Sequence, residues 1–232
     1  MFYNQEYFKR FTMMLTHQQT EKLFSSSVLV FGVGGVGSAL AHFLVRSGIQ
    51  HIGIVDFDKI DQTNINRQLV ANSNNVGKLK VDELEKQLKE INPNVVVDKY
   101  PVKFSEENQQ LINFEYDYIA DCIDDIPAKK LLIMLANQKN IPILCAMGAG
   151  NRYSEIPAFE ISKIEKTSYD PIAKILRKFC AEQKIKNLSV CYTKQKAVKF
   201  DCKIIGSVLY YPVNMATIMC AKIINDILNK GE

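Results

Sequence analysis

Ser27-Val28-Leu29-Val30-Phe31-Gly32-Val33-Gly34-Gly35-Val36-Gly37 is the stretch that decides the fold of this chain. Residues 27–31 form a short apolar run of buried-strand type. Gly32, Gly34 and Gly37 then satisfy G-x-G-x-x-G, with Gly35 as an additional glycine. Such glycines permit a tight turn and bring backbone close to a phosphate. An Ala-rich apolar segment from Ser38 to Ser47 reads as the following helix, with Gly48 as its stop, and Ile52 to Val55 as a second strand ending at Asp56. Strand, glycine turn, helix and strand within roughly 30 residues is the context a nucleotide-binding fingerprint requires.

Working outward, Val81, Leu84, Leu88 and Ile91 line one stripe of a helix predicted over Lys80–Ile91, ended by Asn92-Pro93. Val95–Val97, Tyr118–Cys122, Ile141–Leu144, Ser189–Tyr192 and Val208–Tyr211 read as strands. Ala128–Gln138 and Ala216–Leu228 read as helices, and Asp170-Pro171 as the capped start of another. The alternation predicts an α/β, Rossmann-like fold: a mainly parallel central sheet with helices on both faces and a C-terminal elaboration.

The glycine loop indicates a nucleotide without saying which. Asp56, at the end of the second strand, suits ribose hydroxyls of ATP or NAD alike. The segment after it discriminates. Asp58, Asn64, Arg67 and Gln68 follow at once, and Lys80 opens the next helix. Arginine can grip phosphate oxygens in bidentate fashion and amides can orient them, so this set suits a triphosphate better than a nicotinamide dinucleotide. Asp124, projecting from the C-terminal end of a strand, is a natural magnesium ligand beside phosphates.

The bulk properties fit. The chain has 232 residues, 47% hydrophobic and 23% charged, the profile of a folded globular protein rather than a disordered one. There is no apolar leader-like segment at the start and no run long enough for a membrane span, so a cytoplasmic location is expected. Six cysteines occur, none spaced as Cys-x-x-Cys, which argues against a zinc ribbon; Cys122 and Cys145 read as buried free thiols. Charge is uneven: residues 1–150 carry 15 Lys/Arg and 17 Asp/Glu (net −2), residues 151–232 carry 14 and 8 (net +6). The basic excess between Lys174 and Lys203 reads either as solvated surface or as a polyanion contact.

The order of motifs resembles the ubiquitin-activating-like ThiF/MoeB superfamily. The matching text is Val30 to Ser38, Arg46-Ser47-Gly48, Val55-Asp56-Phe57-Asp58, Asn64-Ile65-Asn66-Arg67-Gln68, Gly77 to Lys80, Ile91-Asn92-Pro93 and Asp121-Cys122-Ile123-Asp124. The resemblance implies one ThiF-type adenylating domain over 1–232: an N-terminal arm and helix (1–26), a nucleotide-binding core (27–150) and a C-terminal substrate-side elaboration (151–232). It implies ATP and Mg²⁺ as cofactors, with Gly32, Gly34, Gly35, Gly37, Asp56, Asp58, Asn64, Arg67, Gln68, Lys80 and Asp124 binding nucleotide. Arg67, Lys80 and Asp124 would be catalytic, Asp124 as the metal ligand. It also implies a homodimer across which Arg10 reaches as a finger.

Ala146 to Arg152, Lys166-Thr167, Asp170-Pro171 and Arg177 resemble the tRNA threonylcarbamoyladenosine dehydratase branch. That implies tRNA as partner and activation of a carboxylate next to its anticodon as an acyl-adenylate, which cyclises with loss of AMP. A sulfur-transfer partner stays open. Ser154-Glu155 departs from the branch's usual Asp-Pro, and Cys202 matches a C-terminal cysteine of some members only loosely. Two alternatives remain: adenylation of the C-terminal glycine of a ubiquitin-like sulfur carrier, and a non-catalytic nucleotide-binding scaffold.

Overall fold

The structure, a computed structural model, describes residues 5–199, 201 and 204–229; Cys202 lies outside the described residues. Its elements in chain order are α1 (Gln5–Thr12), α2 (His17–Ser25), β1 (Ser27–Phe31), α3 (Gly35–Arg46), β2 (His51–Val55), α4 (Lys80–Ile91), β3 (Val96–Tyr100), β4 (Tyr118–Asp121), α5 (Ile126–Lys139), β5 (Ile143–Ala146), β6 (Glu160–Lys163), α6 (Pro171–Glu182), β7 (Ser189–Tyr192) and α7 (Tyr210–Asn229).

The strands form one seven-stranded sheet in the order β3-β2-β1-β4-β5-β7-β6. All neighbours are parallel except β6, which runs antiparallel on the edge beside β7. Alternate residues of β1 face opposite sides: Val28 and Val30 join α3, α4 and α7 in one core, while Leu29 and Phe31 join Ala128, Leu132 and Ala136 of α5 in another. α6 closes a third cluster with Cys145 and Val190. Both faces of the sheet are therefore covered by helices, as the near-continuous apolar strands require.

Local chemistry sets the helix starts. Thr16 and Gln19 form a capping box on α2. Asp125 caps α5 by accepting from the Ala128 amide, and Pro127 occupies its first turn. Asp170 caps α6 in the same way, with Pro171 following, as the sequence indicates. α3 begins at Gly35 rather than Ser38, so the glycine motif forms the helix's first turn.

One predicted element is overturned. Val208–Tyr211 is not a strand: Tyr210 and Tyr211 open the 20-residue α7, which also absorbs the helix read over Ala216–Leu228. Pro212 is compatible with a first turn because the amide it lacks would be unpaired there anyway. Tyr211, Met215, Met219, Ile223 and Ile227 make a continuous buried stripe at helical spacing.

Candidate active site

β1 and β4 are neighbours in the sheet although β2 and β3 lie between them in sequence, so the chain reverses its direction of winding there. Open α/β sheets bind ligands at that switch, beyond the carboxyl ends of the strands. A cavity of about 610 Å³ lies there. Gly32, Gly34 and Gly35 line it from β1, Asp56 to Lys59 from β2, and Cys122 to Asp125 from β4. Ala146 to Gly150 contribute from the end of β5.

The glycine turn is built by close approach. Gly32 has φ +79°, and a Cβ there would lie 2.8 Å from the carbonyl oxygen of Cys122. A Cβ at Gly37 would lie 1.8 Å from the Gly32 oxygen. Gly37 is not among the described residues lining the cavity; its glycine lets α3 pack onto the end of β1. No side chain caps α3, so its N-terminal amides and positive dipole end are presented to the cavity side of the turn.

Both oxygens of Asp56 accept backbone hydrogen bonds, from Val33 at 2.8 Å and from Asp58 at 2.8 Å. Burial raises its carboxyl pKa above the ordinary value, and the nearby Lys80 charge opposes that rise. Lys80, its side chain only 6% exposed, donates to Asp58 at 2.7 Å. Asp58 also accepts the Lys80 amide on its backbone oxygen at 3.0 Å. Asp58 thus lines the cavity while aiming the lysine. Arg67 is anchored through Nη1 to the Thr63 carbonyl (2.7 Å) and to Asn66 Oδ1 (3.0 Å). Asn64 uses its side-chain oxygen to accept from the Asp61 amide, holding the short 3₁₀ turn Gln62–Asn64 that carries Arg67 forward. Gln68 is buried beside Gly34, and its Oε1 is a buried acceptor with no donor among the described residues. Such an atom is costly unless something pairs with it.

Asp124 is exposed on the cavity wall. Its turn is fixed from below by a pair the sequence reading did not single out: Asp121 and Lys129 meet at 2.7 Å, both wholly buried. Burial alone would lower the Lys129 pKa, but the Asp121 charge holds it above its ordinary value. Asp121 also accepts from the Ile123 amide at 3.1 Å. Nothing in the sequence distinguishes Lys129 from a solvated lysine except its position on the apolar side of α5.

Two further struts shape the β5 loop. Asp170 accepts from the Gly148 amide at 3.0 Å as well as capping α6. Arg152, 4% exposed, donates to the carbonyls of Gly148, Gly150 and Gln195. Lys103, Ile205 and Ser207 also line the cavity and were not anticipated. The last two come from the loop before α7, pinned where Asn66 donates to the Ser207 carbonyl at 2.9 Å.

Arg10 is exposed on α1 and does not line its own chain's cavity. Cys145 is buried, as read from sequence, and Cys122 lies on the cavity wall; burial raises both thiol pKa values, so neither is primed as a nucleophile. Among the described residues no group of three or more His, Cys, Asp or Glu side chains could hold a metal.

The fold and cavity define a Rossmann-type protein whose pocket is furnished for a nucleoside polyphosphate. A family model for the ThiF family matches residues 8–231, and the chain belongs to that family. It is 38% identical over 180 residues to the tRNA threonylcarbamoyladenosine dehydratase of Bacillus subtilis (strain 168), covering 77% of this chain and 70% of that protein. It is 30% identical over 215 residues to the enzyme of the same name from Escherichia coli (strain K12), covering 91% and 78%. The crystal structure of the E. coli dehydratase TcdA in complex with ATP superposes with a TM-score of 0.89 at 24% identity, over 97% of this chain and 95% of that one. At that identity the superposition speaks to the fold.

Proposed function

We propose that this protein is an ATP-dependent dehydratase that adenylates the carboxylate of threonylcarbamoyladenosine in tRNA and cyclises it. The observation that carries the reading is the convergence of Asp56, Arg67, Gln68, Lys80 and Asp124 on one cavity beside the glycine turn. The similarity to dehydratases from two bacteria supports the substrate.

In this reading ATP lies with its phosphates along the glycine turn and the α3 N-terminus, and Asp56 faces the ribose. A carboxylate oxygen of the modified nucleoside attacks the α-phosphorus, and the bond to pyrophosphate breaks. Arg67 and Lys80 offset the negative charge that develops on the phosphoryl oxygens, in a site where they are held before the reaction begins. Gln68 lines the same pocket beside Gly34 and has an amide able to orient a phosphate oxygen. The mixed anhydride then collapses as a nucleophile within the same nucleoside attacks the acyl carbon and AMP leaves. The oxygen lost from the carboxylate departs on AMP, which accounts for the net removal of water.

Asp124, an exposed carboxylate on the cavity wall, suits Mg²⁺, an ion usually held by one or two carboxylates plus substrate phosphates while keeping several waters. When bound, the ion would neutralise phosphate charge. Of the other exposed carboxylates lining the cavity, Asp125 caps α5 through the Ala128 amide and Asp61 accepts from the Thr63 amide and hydroxyl, whereas Asp124 has no such commitment among the described residues.

The working unit in this reading is a homodimer spanning residues 1–232 of each chain as one adenylating domain. Arg10 stands exposed and away from its own cavity, as a residue serving the partner's site would. A substrate pair of ATP and tRNA fits a cytoplasmic protein, and no helix among the described residues is long and apolar enough to cross a membrane.

The test is tRNA-dependent exchange of labelled pyrophosphate into ATP. Exchange stimulated by tRNA carrying threonylcarbamoyladenosine, and not by unmodified tRNA, supports the reading. Exchange that responds only to a ubiquitin-like carrier protein overturns it.

A further inference from the structure

We infer that Tyr169, with Lys196 over one face of its ring, is a stacking platform for an unpaired RNA base flanking the reacting nucleotide, tied through Asp170 to the Gly148 loop of the cavity. The inference rests on the tRNA reading above and extends it to particular side chains.

Tyr169 is 67% exposed, and its ring belongs to none of the buried clusters. Its backbone has φ +58°, the left-handed region that a bulky non-glycine residue adopts only when its surroundings impose it. What imposes it is the next residue. Asp170 is buried, caps α6 through the Ala173 amide, and accepts the Gly148 amide at 3.0 Å. Gly148 itself lines the cavity. The strained turn therefore sets the Tyr169 ring at a fixed offset from the pocket floor. Strain kept one residue from a strut of the cavity loop points to a use for the side chain it displays.

Lys196 comes from a different part of the chain, yet its ammonium lies 5.4 Å from the Tyr169 ring centroid. Its backbone is registered to the same floor. Arg152 donates at once to the Gly148 and Gly150 carbonyls and to the carbonyl of Gln195, the residue before Lys196. Asp170 and Arg152 are thus two buried struts, from different segments, that meet at Gly148. One holds the aromatic ring and the other the cation.

A ring 67% exposed, with a lysine ammonium over one face and the other left for stacking, matches a nucleobase and its phosphate. Aromatic stacking on unpaired bases tolerates any sequence and is supplemented by backbone phosphate contacts. The charge of the chain agrees, because residues 151–232 carry the net +6 while residues 1–150 are net −2.

The experiment measures the Kd of the full-length protein for fluorescently labelled tRNA carrying threonylcarbamoyladenosine, with ATP affinity measured alongside by calorimetry. Tyr169→Leu should weaken tRNA binding about tenfold, as loss of one stacked base does, and Tyr169→Phe should bind like wild type. Lys196→Gln should weaken binding and lower the slope of log K against log salt by about one. Lys139→Gln removes the same charge at the end of α5, away from the cavity, and should change little. ATP affinity should stay constant throughout, which shows that the pocket is intact.

Wild-type affinity in Tyr169→Leu overturns the platform while leaving the dehydratase reading standing. Wild-type protein that binds no tRNA overturns both. Equal losses in the Phe and Leu variants would show that the hydroxyl or the turn matters rather than the ring, and would also overturn it.

Discussion

Lys129→Met is the substitution that tests most sharply how the site is held. Lys129 and Asp121 are both 0% exposed and meet at 2.7 Å. Methionine fills similar volume, so the cavity contribution is small and the electrostatic one stands alone. It leaves the Asp121 carboxylate buried without a counter-charge, a change that costs about 3–5 kcal/mol. For a chain of this size that corresponds to a Tm lower by roughly 6–20 °C. Asp121→Asn combined with Lys129→Met removes both charges, and asparagine keeps an oxygen for the Ile123 amide. The double variant should recover most of the loss, giving a coupling energy of at least about 2 kcal/mol in a double-mutant cycle. Urea unfolding of the four proteins at pH 7 measures this. The reasoning is refuted if Lys129→Met lies within about 1 kcal/mol of wild type, or if the two substitutions simply add.

Arg67→Ala, Lys80→Ala and Asp124→Ala should each slow pyrophosphate exchange by at least about 10²-fold, as when a transition-state donor is lost; wild-type-like exchange in all three would sink their assigned roles. Gly37→Ala should destabilise the protein by about 1–3 kcal/mol or more, because a Cβ would stand 1.8 Å from the Gly32 oxygen; an unchanged urea midpoint would contradict that. Burial, with Arg46 adding to it, pushes the His42 pKa from 6.5 down to about 4. Between those values the unfolded chain binds a proton that the native one refuses, so stability falls as pH drops from 6.5 to about 4, by up to about 3 kcal/mol. His42→Gln should remove that part of the acid limb, and a wild-type slope in the variant would show that His42 does not set it.

The core of the fold was legible because its strands are short apolar runs, with the glycine turn after β1, Asn92-Pro93 after α4 and Asp170-Pro171 before α6 marking boundaries. α4 and β7 fall where the sequence predicts them, at Lys80–Ile91 and Ser189–Tyr192. The error at Val208–Tyr211 has a plain cause. Val-Leu-Tyr-Tyr has strand composition, but the Tyr211–Met215–Met219 stripe continues through Pro212 and outweighs local preference. β6 was missed because Glu160-Ile-Ser-Lys is short and partly exposed, and it is a strand only by virtue of pairing with β7.

In the site, the types and order of Asp56, Arg67, Gln68, Lys80 and Asp124 suggested a phosphate pocket, and all five line one cavity. What was not readable is how they are held. That Asp58 aims Lys80, that Asn64 spends its oxygen on a turn, and that Lys129 lies beneath Asp124's loop are facts of tertiary contact. Arg152 and Asp170 were noticed as a resemblance, but their work as struts under Gly148 depends on the β5–α6 geometry.

The central claim is dehydration of a tRNA-borne nucleoside at the expense of ATP. Mass spectrometry of nucleosides digested from tRNA after incubation with the protein and ATP tests it most directly. The account predicts that threonylcarbamoyladenosine is replaced by a species lighter by one water, only with ATP present and not with Lys80→Ala. An unchanged nucleoside profile with active, ATP-binding protein would contradict it.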